Sequence, residues 1–262
     1  MTTLTNDAVL VTSELLGVQT LPLVLEVGPR QDEIGAFLAA RETALTGLRT
    51  AGLIDPHDEV DADLAAALFT LAQPERELAA RIFTESGTRR VCLARRGAQH
   101  AVAIRDGDAI DVRTVWSDGE GATLARPVLE ALGPAAPAAV ASFSAPSDEL
   151  RDKLDQAAAS SEFTQVVYDA GVREREAIEF GLAMASCHAR AEIVAYAYDD
   201  GLTTTSSGSV AVYDTARGRI VASPGAAPDF RVWTTFHPGS DHRIAQAISA
   251  LVETLPGGRW LP

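Results

Sequence analysis

Five histidines and two cysteines are the residues best suited to chemistry in this chain. His237 and His242 lie on either side of Pro238-Gly239. A spacing of five does not bring two rings onto one helical face, so a turn leading into a helix is expected there, not a metal pair. Cys187 and His188 are adjacent near an expected helix end, where a cation suits the dipole. Neighbouring helical positions point apart, so no thiol–imidazole dyad is expected. Cys92 and Cys187 read as isolated buried thiols and not as a disulfide framework. His57 falls in an acidic loop and His100 at a strand start, neither beside a nucleophile at a telling spacing. There is no G-x-S-x-G elbow, no Walker loop and no G-x-G-x-x-G. Gly119-Glu120-Gly121 has the position of a phosphate-binding turn but puts a carboxylate where an anion would bind. Asp199-Asp200 is read as a solvated turn, and no carboxylate pair is singled out for glycosidase work. The expectation is therefore no catalytic residue, no metal and no cofactor. The competing reading is a small-molecule-binding or hydrolytic α+β enzyme that uses a cleft between two halves.

Composition narrows the partners. The chain has 262 residues, 47% of them hydrophobic and 22% charged, ample for a buried core. Its net charge of −14 repels phosphate backbones and argues against nucleic acid. Basic residues are nearly all arginine, with Lys153 the single lysine. The N-terminus lacks a basic, long-apolar leader, and no window reaches the ~20 apolar residues of a membrane span. A cytoplasmic protein without membrane insertion is expected.

Periodicity supplies the elements. Residues 3–10 read as a strand and 11–16 as a helix. Leu21 to Val27 reads as a strand or extended segment. A helix is predicted over 32–49, with Ile34, Phe37, Leu38, Leu45 and Leu48 as its apolar stripe, and another over 61–71. Strands follow at 77–83, 90–94, 100–105 and 110–116, with Asp106-Gly107-Asp108 a hairpin signal. The next helix carries Leu124, Val128 and Leu132, with Pro127 expected in or near its first turn. Residues 133–146 are rich in Ala and Pro and read as a link. Ser147 is expected to cap a helix carrying Leu150 and Leu154. A second helix carries Phe163 and Val167, and a third is expected to run from Arg173 to about His188. Then come four alternating runs: 191–198, 203–213, 219–222 and 230–236. A closing helix carries Ile244, Ile248, Leu251 and Leu255, with Ser240 or Asp241 as N-cap.

The order of elements repeats. After Ala51-Gly52, and again after Ala170-Gly171, come a helix, four strands and a helix. Asp111-Val112-Arg113 and Asp229-Phe230-Arg231 each precede a Trp-containing strand or strand end. The predicted fold class is α+β, a quasi-twofold duplicated architecture with a central, mainly antiparallel sheet flanked by two helical bundles. The halves are placed at 1–136 and 137–262 within one compact domain.

The L-T-T-T run (Leu202 to Thr205), the Val221-x-Ser223-Pro224 turn, Trp233-Thr234-Thr235-Phe236 with its following Pro-Gly, and the closing Leu255-Pro-Gly-Gly-Arg-Trp260 resemble the EspG family. The N-terminal LTNDAVLVTSELLG and LPLVLEV fall in the same order. These are the cytosolic secretion-associated chaperones of mycobacterial type VII (ESX) systems. The resemblance implies a quasi-twofold fold that binds PE/PPE heterodimers without nucleotide or metal. It also implies capture of the hydrophobic tip of the PPE helical bundle, with the sheet and the C-terminal helical bundle involved. Family members carry longer insertions near Arg95–Gln99 that bear on substrate choice, and this chain is short there.

A sheet face carrying hydroxyls and a few aromatic anchors can cap a greasy helical end reversibly. On that reading the partner-binding candidates are Tyr196, Tyr198, Thr203, Thr205, Ser207 and Trp233, with Arg95 and Arg96 in the short loop. Each also has a plain reading, a half-buried packing aromatic or a solvated hydroxyl. A homodimer through an exposed strand edge is a further possibility for assembly.

Overall fold

The computed structural model describes residues 2–226 and 231–262. The first series opens with β1 (Thr2–Thr5) and α1 (Asn6–Leu15), capped by Thr5, whose Oγ1 accepts from the Ala8 N–H at 3.1 Å. After a single 3₁₀ turn (Leu23–Leu25) come α2 (Ile34–Thr50) and α3 (Ala62–Ala72). Four strands follow as successive hairpins, β2 (Arg76–Thr84), β3 (Gly87–Arg96), β4 (Gln99–Asp106) and β5 (Ala109–Val115), and then α4 (Gly121–Leu132). The second series is β6 (Phe143–Pro146), α5 (Ser147–Gln156), α6 (Ser160–Asp169), α7 (Glu174–Met184), β7 (Cys187–Asp199), β8 (Leu202–Thr205), β9 (Val210–Thr215), β10 (Gly218–Ala226), β11 (Val232–Pro238) and α8 (Asp241–Glu253).

The strands form one antiparallel sheet in the order β1-β5-β4-β3-β2-β7-β9-β10-β11-β6, with β8 paired to β7 beside that path. The order is symmetric about the β2–β7 contact: β3 answers to β9, β4 to β10, β5 to β11 and β1 to β6. The fold is α+β and duplicated, and the repeat extends back to the short edge strand and three helices that open each series. β8 has no counterpart among the described residues.

The two sheet faces are covered differently. On one face α4 and α8 lie together across the middle, with Leu124, Val128, Ile244, Ile248, Leu251 and Trp260 packed on Leu78, Ala80, Ile193 and Ala195. Their close approach explains Gly121: a Cβ there would lie 2.3 Å from the Ala245 carbonyl oxygen. On the other face, α1 and α3 cover the outer strands of the first series, and α5–α7 those of the second through Phe163, Phe180, Ile220 and Phe236.

Several expectations are corrected. β1 ends at Thr5 and the helix starts at once, because Asn6 and Asp7 follow a good cap. Leu21 to Val27 is not a strand; Pro22 fixes its own φ and Leu23–Leu25 turns as 3₁₀. Of the α2 stripe only Leu48 is buried, since α2 packs chiefly on α1 and not on the sheet. Pro127 lies inside α4, well past its first turn, where burial against the sheet offsets the lost N–H bond. Ser147 is the first residue of α5, not its cap, and its hydroxyl meets Thr234 Oγ1 at 2.7 Å. α7 stops at Met184, and Cys187 and His188 begin β7, where Cys187 pairs with Thr215 of β9 and the register shifts across His188. The single strand expected over 203–213 is two, β8 and β9, separated by residues 206–209. Asp229 and Phe230 lie outside the described residues.

The link between the series is stitched down by Arg219. Its backbone N–H donates to Ala136 O at 2.8 Å, and its carbonyl accepts from Ala138 N–H at 2.8 Å. Its guanidinium, on a residue 1% exposed, grips both oxygens of Asp214 at 2.5 and 2.8 Å and also reaches Gly133 O at 3.0 Å. Removing one partner of a buried pair strands the other charge. Asp214→Ala is therefore expected to cost about 3 kcal/mol of folding stability. Urea denaturation measures this, and a loss below about 1 kcal/mol, within the range of an exposed pair, would count against the role.

Candidate functional site

Because each three-helix bundle sits over its own outer strands, the middle of that sheet face is left open. Strand alternation decides what appears there. In β7, Ala191, Ile193, Ala195 and Ala197 point into the α4/α8 core, so Glu192, Val194, Tyr196 and Tyr198 face the gap. In β2 the same rule presents Glu77, Ala79 and Arg81. Two cavities occupy the gap and share Val194. One, of about 290 Å³, has Leu23 and Val24 of the 3₁₀ turn as its wall and Glu77, Ala79, Tyr196, Tyr198 and Thr203 around it. The other, of about 410 Å³, is bordered by Leu150, Arg151 and Leu154 of α5 and by Thr205, Val232 and Thr234 of the strands. Leu23 is 90% exposed and Val232 44%, so apolar surface stands on both sides of the cleft.

The cleft floor holds a buried acid. Glu77 is 3% exposed, and its Oε2 accepts from the Tyr198 hydroxyl at 2.7 Å. Burial raises the Glu77 carboxyl above the usual range, and the Tyr198 hydrogen bond only partly offsets this. Burial, together with the Glu77 charge, pushes the Tyr198 phenol well up. A phenol held that firmly protonated is no base or nucleophile near neutrality; it is a donor and a flat surface. The Tyr196 ring lies beside it, centroids 6.4 Å apart. Burial likewise raises the Cys92 thiol behind Glu77, which leaves it inert. Among the described residues no three His, Cys, Asp or Glu side chains gather as metal ligands would. His237 Nδ1 instead meets Ser142 Oγ at 2.8 Å.

The EspG family profile matches residues 5–250. The chain belongs to the EspG family. It is 28% identical to the ESX-1 secretion-associated protein EspG1 of Mycobacterium tuberculosis, over 98% of this chain and 88% of that one. To the ESX-3 secretion-associated protein EspG3 of the same species it is 26% identical, over 99% and 92%. The fold matches that of EspG5, described as the M. tuberculosis type VII secretion system chaperone, in its complex with a PE25–PPE41 dimer. That likeness has a TM-score of 0.81 at 21% identity, over 99% of this chain and 98% of that one.

In this EspG-family chain the candidate residues divide. Tyr196, Tyr198, Thr203 and Thr205 come together on the open face, since β8 pairs Thr205 with Tyr196 and Thr203 with Tyr198. Ser207 does not join them. Residues 206–209 bulge: the Ser206 N–H donates to Ala195 O at 2.8 Å, and the Ser207 N–H donates to Thr254 Oγ1 at 3.0 Å. The alternation expected through this run is broken there. Trp233 lies apart, half-buried in a 210 Å³ pocket with Leu150, Lys153 and Val166, its indole Nε1 buried without a hydrogen-bond partner. Arg95 is corrected outright as a surface contact. It is 3% exposed, paired to Glu75 at 2.8 Å and bonded to Gly97 O at 3.0 Å, because the hairpin folds its side chain inward. Arg96 beside it is exposed.

Sequence reasoning missed Glu77, Leu23, Val194 and Leu150. Glu77 carried a signal, an acid in a strand on the face shared with Ala79. Leu23 and Leu150 carried none, because tertiary placement alone brings them to the rim. A carboxyl raised by burial binds more protons folded than unfolded, so its contribution falls as pH rises from the unfolded carboxylate range through the folded value. Glu77→Gln is therefore expected to gain stability relative to wild type, more at pH 7 than at pH 4. Urea midpoints for both proteins at the two pH values give the answer; an equal difference at both would show that Glu77 titrates normally.

Proposed function

We propose that this protein is a substrate-binding chaperone of a type VII (ESX) secretion system. It holds the hydrophobic helical tip of a PE/PPE-like heterodimer in the cleft between its helical bundles, keeps it dispersed in the cytoplasm and releases it to the secretion machinery. The observation that carries this is the open sheet face itself. A preformed cleft with Leu23, Val194 and Val232 around stacked tyrosines suits the apolar end of a helical hairpin. Family membership, and the fold shared with a chaperone whose structure contains a PE–PPE dimer, support the same partner class. The Thr203 and Thr205 hydroxyls supply the polar rim, and Tyr196 and Tyr198 the aromatic anchors. On this reading nothing is turned over on the protein, and the two series, 1–136 and 137–262, act as halves of one binding unit.

Co-expression with a PPE-family protein and its PE partner from the same genome tests the reading. The expected product is a one-to-one-to-one complex in size-exclusion chromatography with light scattering, and a PPE protein that is insoluble without the chaperone. Failure to co-purify with any such pair would sink it. Leu23→Asp, at an exposed position that folding does not need, is expected to weaken capture at least about tenfold, since burying a leucine contributes roughly 1.5–3 kcal/mol. Unchanged affinity would move the binding surface elsewhere.

A further inference from the structure

The carboxyl on the cleft floor lacks a counter-charge. Glu77 lines the cavity and is held by the neutral Tyr198 hydroxyl. The charged and titratable groups around it are accounted for. On its own strand Arg81 is two positions along the same face, opposite Glu192 in the β2–β7 register, and makes no ion pair among the described residues. On β7, Tyr198 is a neutral donor with the Tyr196 ring beside it, and the Arg190 guanidinium sits over the Phe83 ring at 5.0 Å. On β3, Cys92 is a neutral thiol and Arg90 is taken by Glu26 at 2.5 Å. The 3₁₀ turn offers Leu23, Val24 and Leu25, and β8 offers the Thr203 hydroxyl. Glu75, just before β2, is bound to Arg95.

A greasy helical end seated here would strip the remaining water from that carboxyl, which is costly unless the ligand brings a donor. Resting on the chaperone reading above, we infer that the docking helical end carries a lysine or arginine among its apolar residues, and that this side chain donates to Glu77. The Tyr198 bond leaves the second carboxylate oxygen for the incoming cation and fixes the direction from which it can approach. The apolar rim sets affinity for any helical tip, and Glu77 selects among tips by charge. The acidic chain, at net −14, favours approach of such a partner from a distance.

The two ways of burying Glu77 differ in sign with pH. Free Glu77 titrates above the ordinary carboxylate range. A cation arriving on it favours the ionised form, so binding tightens as pH rises through that range. An all-apolar tip would favour the protonated form, and binding would weaken. The probe is the PE–PPE pair captured by co-expression, titrated calorimetrically from pH 5 to 8 against wild type and Glu77→Gln. Gln keeps the shape and still accepts from Tyr198, and urea midpoints verify that the variant folds. The expected result is wild-type affinity that rises with pH, and a Gln variant at least about tenfold weaker at pH 8 with a flat profile. Replacing one Lys or Arg of the partner's helical end by Gln should give the same loss, and nothing more in combination with Glu77→Gln. Equal affinity for the Gln variant, affinity that falls with pH, or the lack of any coupled basic residue overturns the inference and leaves the chaperone reading standing. A wild-type chain that captures no PE–PPE pair takes down both.

Discussion

Everything in this molecule depends on the pairing of β2 with β7. Their antiparallel register runs from Arg76 opposite Ala197 to Thr84 opposite Ala189. It is where the two series meet, and it turns two half-sheets into one. Backbone groups this deep must be paired, so the contact is enforced by hydrogen bonding as much as by packing. Alternation along the same strands then sorts side chains: Leu78, Ala80, Ile193 and Ala195 feed the α4/α8 core, while Glu77, Val194, Tyr196 and Tyr198 are sent to the other face.

The cleft follows from how the helices are shared out. α4 and α8 close over the middle of one face, and Gly121 lets them do so at backbone contact. The bundles α1–α3 and α5–α7 are each tied to their own outer strands by separate cores. The central strands are thus backed by one core and bordered in front by the two cavities. They also hold a buried acid, Glu77, whose burial works against stability and is only partly offset by the Tyr198 hydroxyl.

Much of this was legible from the residues alone. The Asp106-Gly107 turn, the strand runs at 100–105 and 110–116, and the cap at Ser240 each pointed to the element that forms. The duplication was visible in element order, because both series keep the same hydrophobic rhythm. What escaped was set by contacts distant in sequence. Pro127 sits mid-helix because burial outweighs a local rule. The start of β7 at Cys187 is decided by β9, nearly thirty residues on, against a helical pattern of its own. The bulge at 206–209 reads as a strand until Thr254 is seen holding the Ser207 N–H. Arg95 looks like a loop charge until Glu75 is found beside it. Aromatic candidates fared unevenly for the same reason: Tyr196 and Tyr198 share a strand face, while Trp233 answers to α5 and α6.

β8 has a meaning beyond its four residues. A perfectly duplicated saddle would look the same after half a turn. The β8 flap, pinned through its bulge to the end of α8, raises one side only. It makes the two ends of the trough unlike, so two series that answer each other strand for strand do not present the same surface.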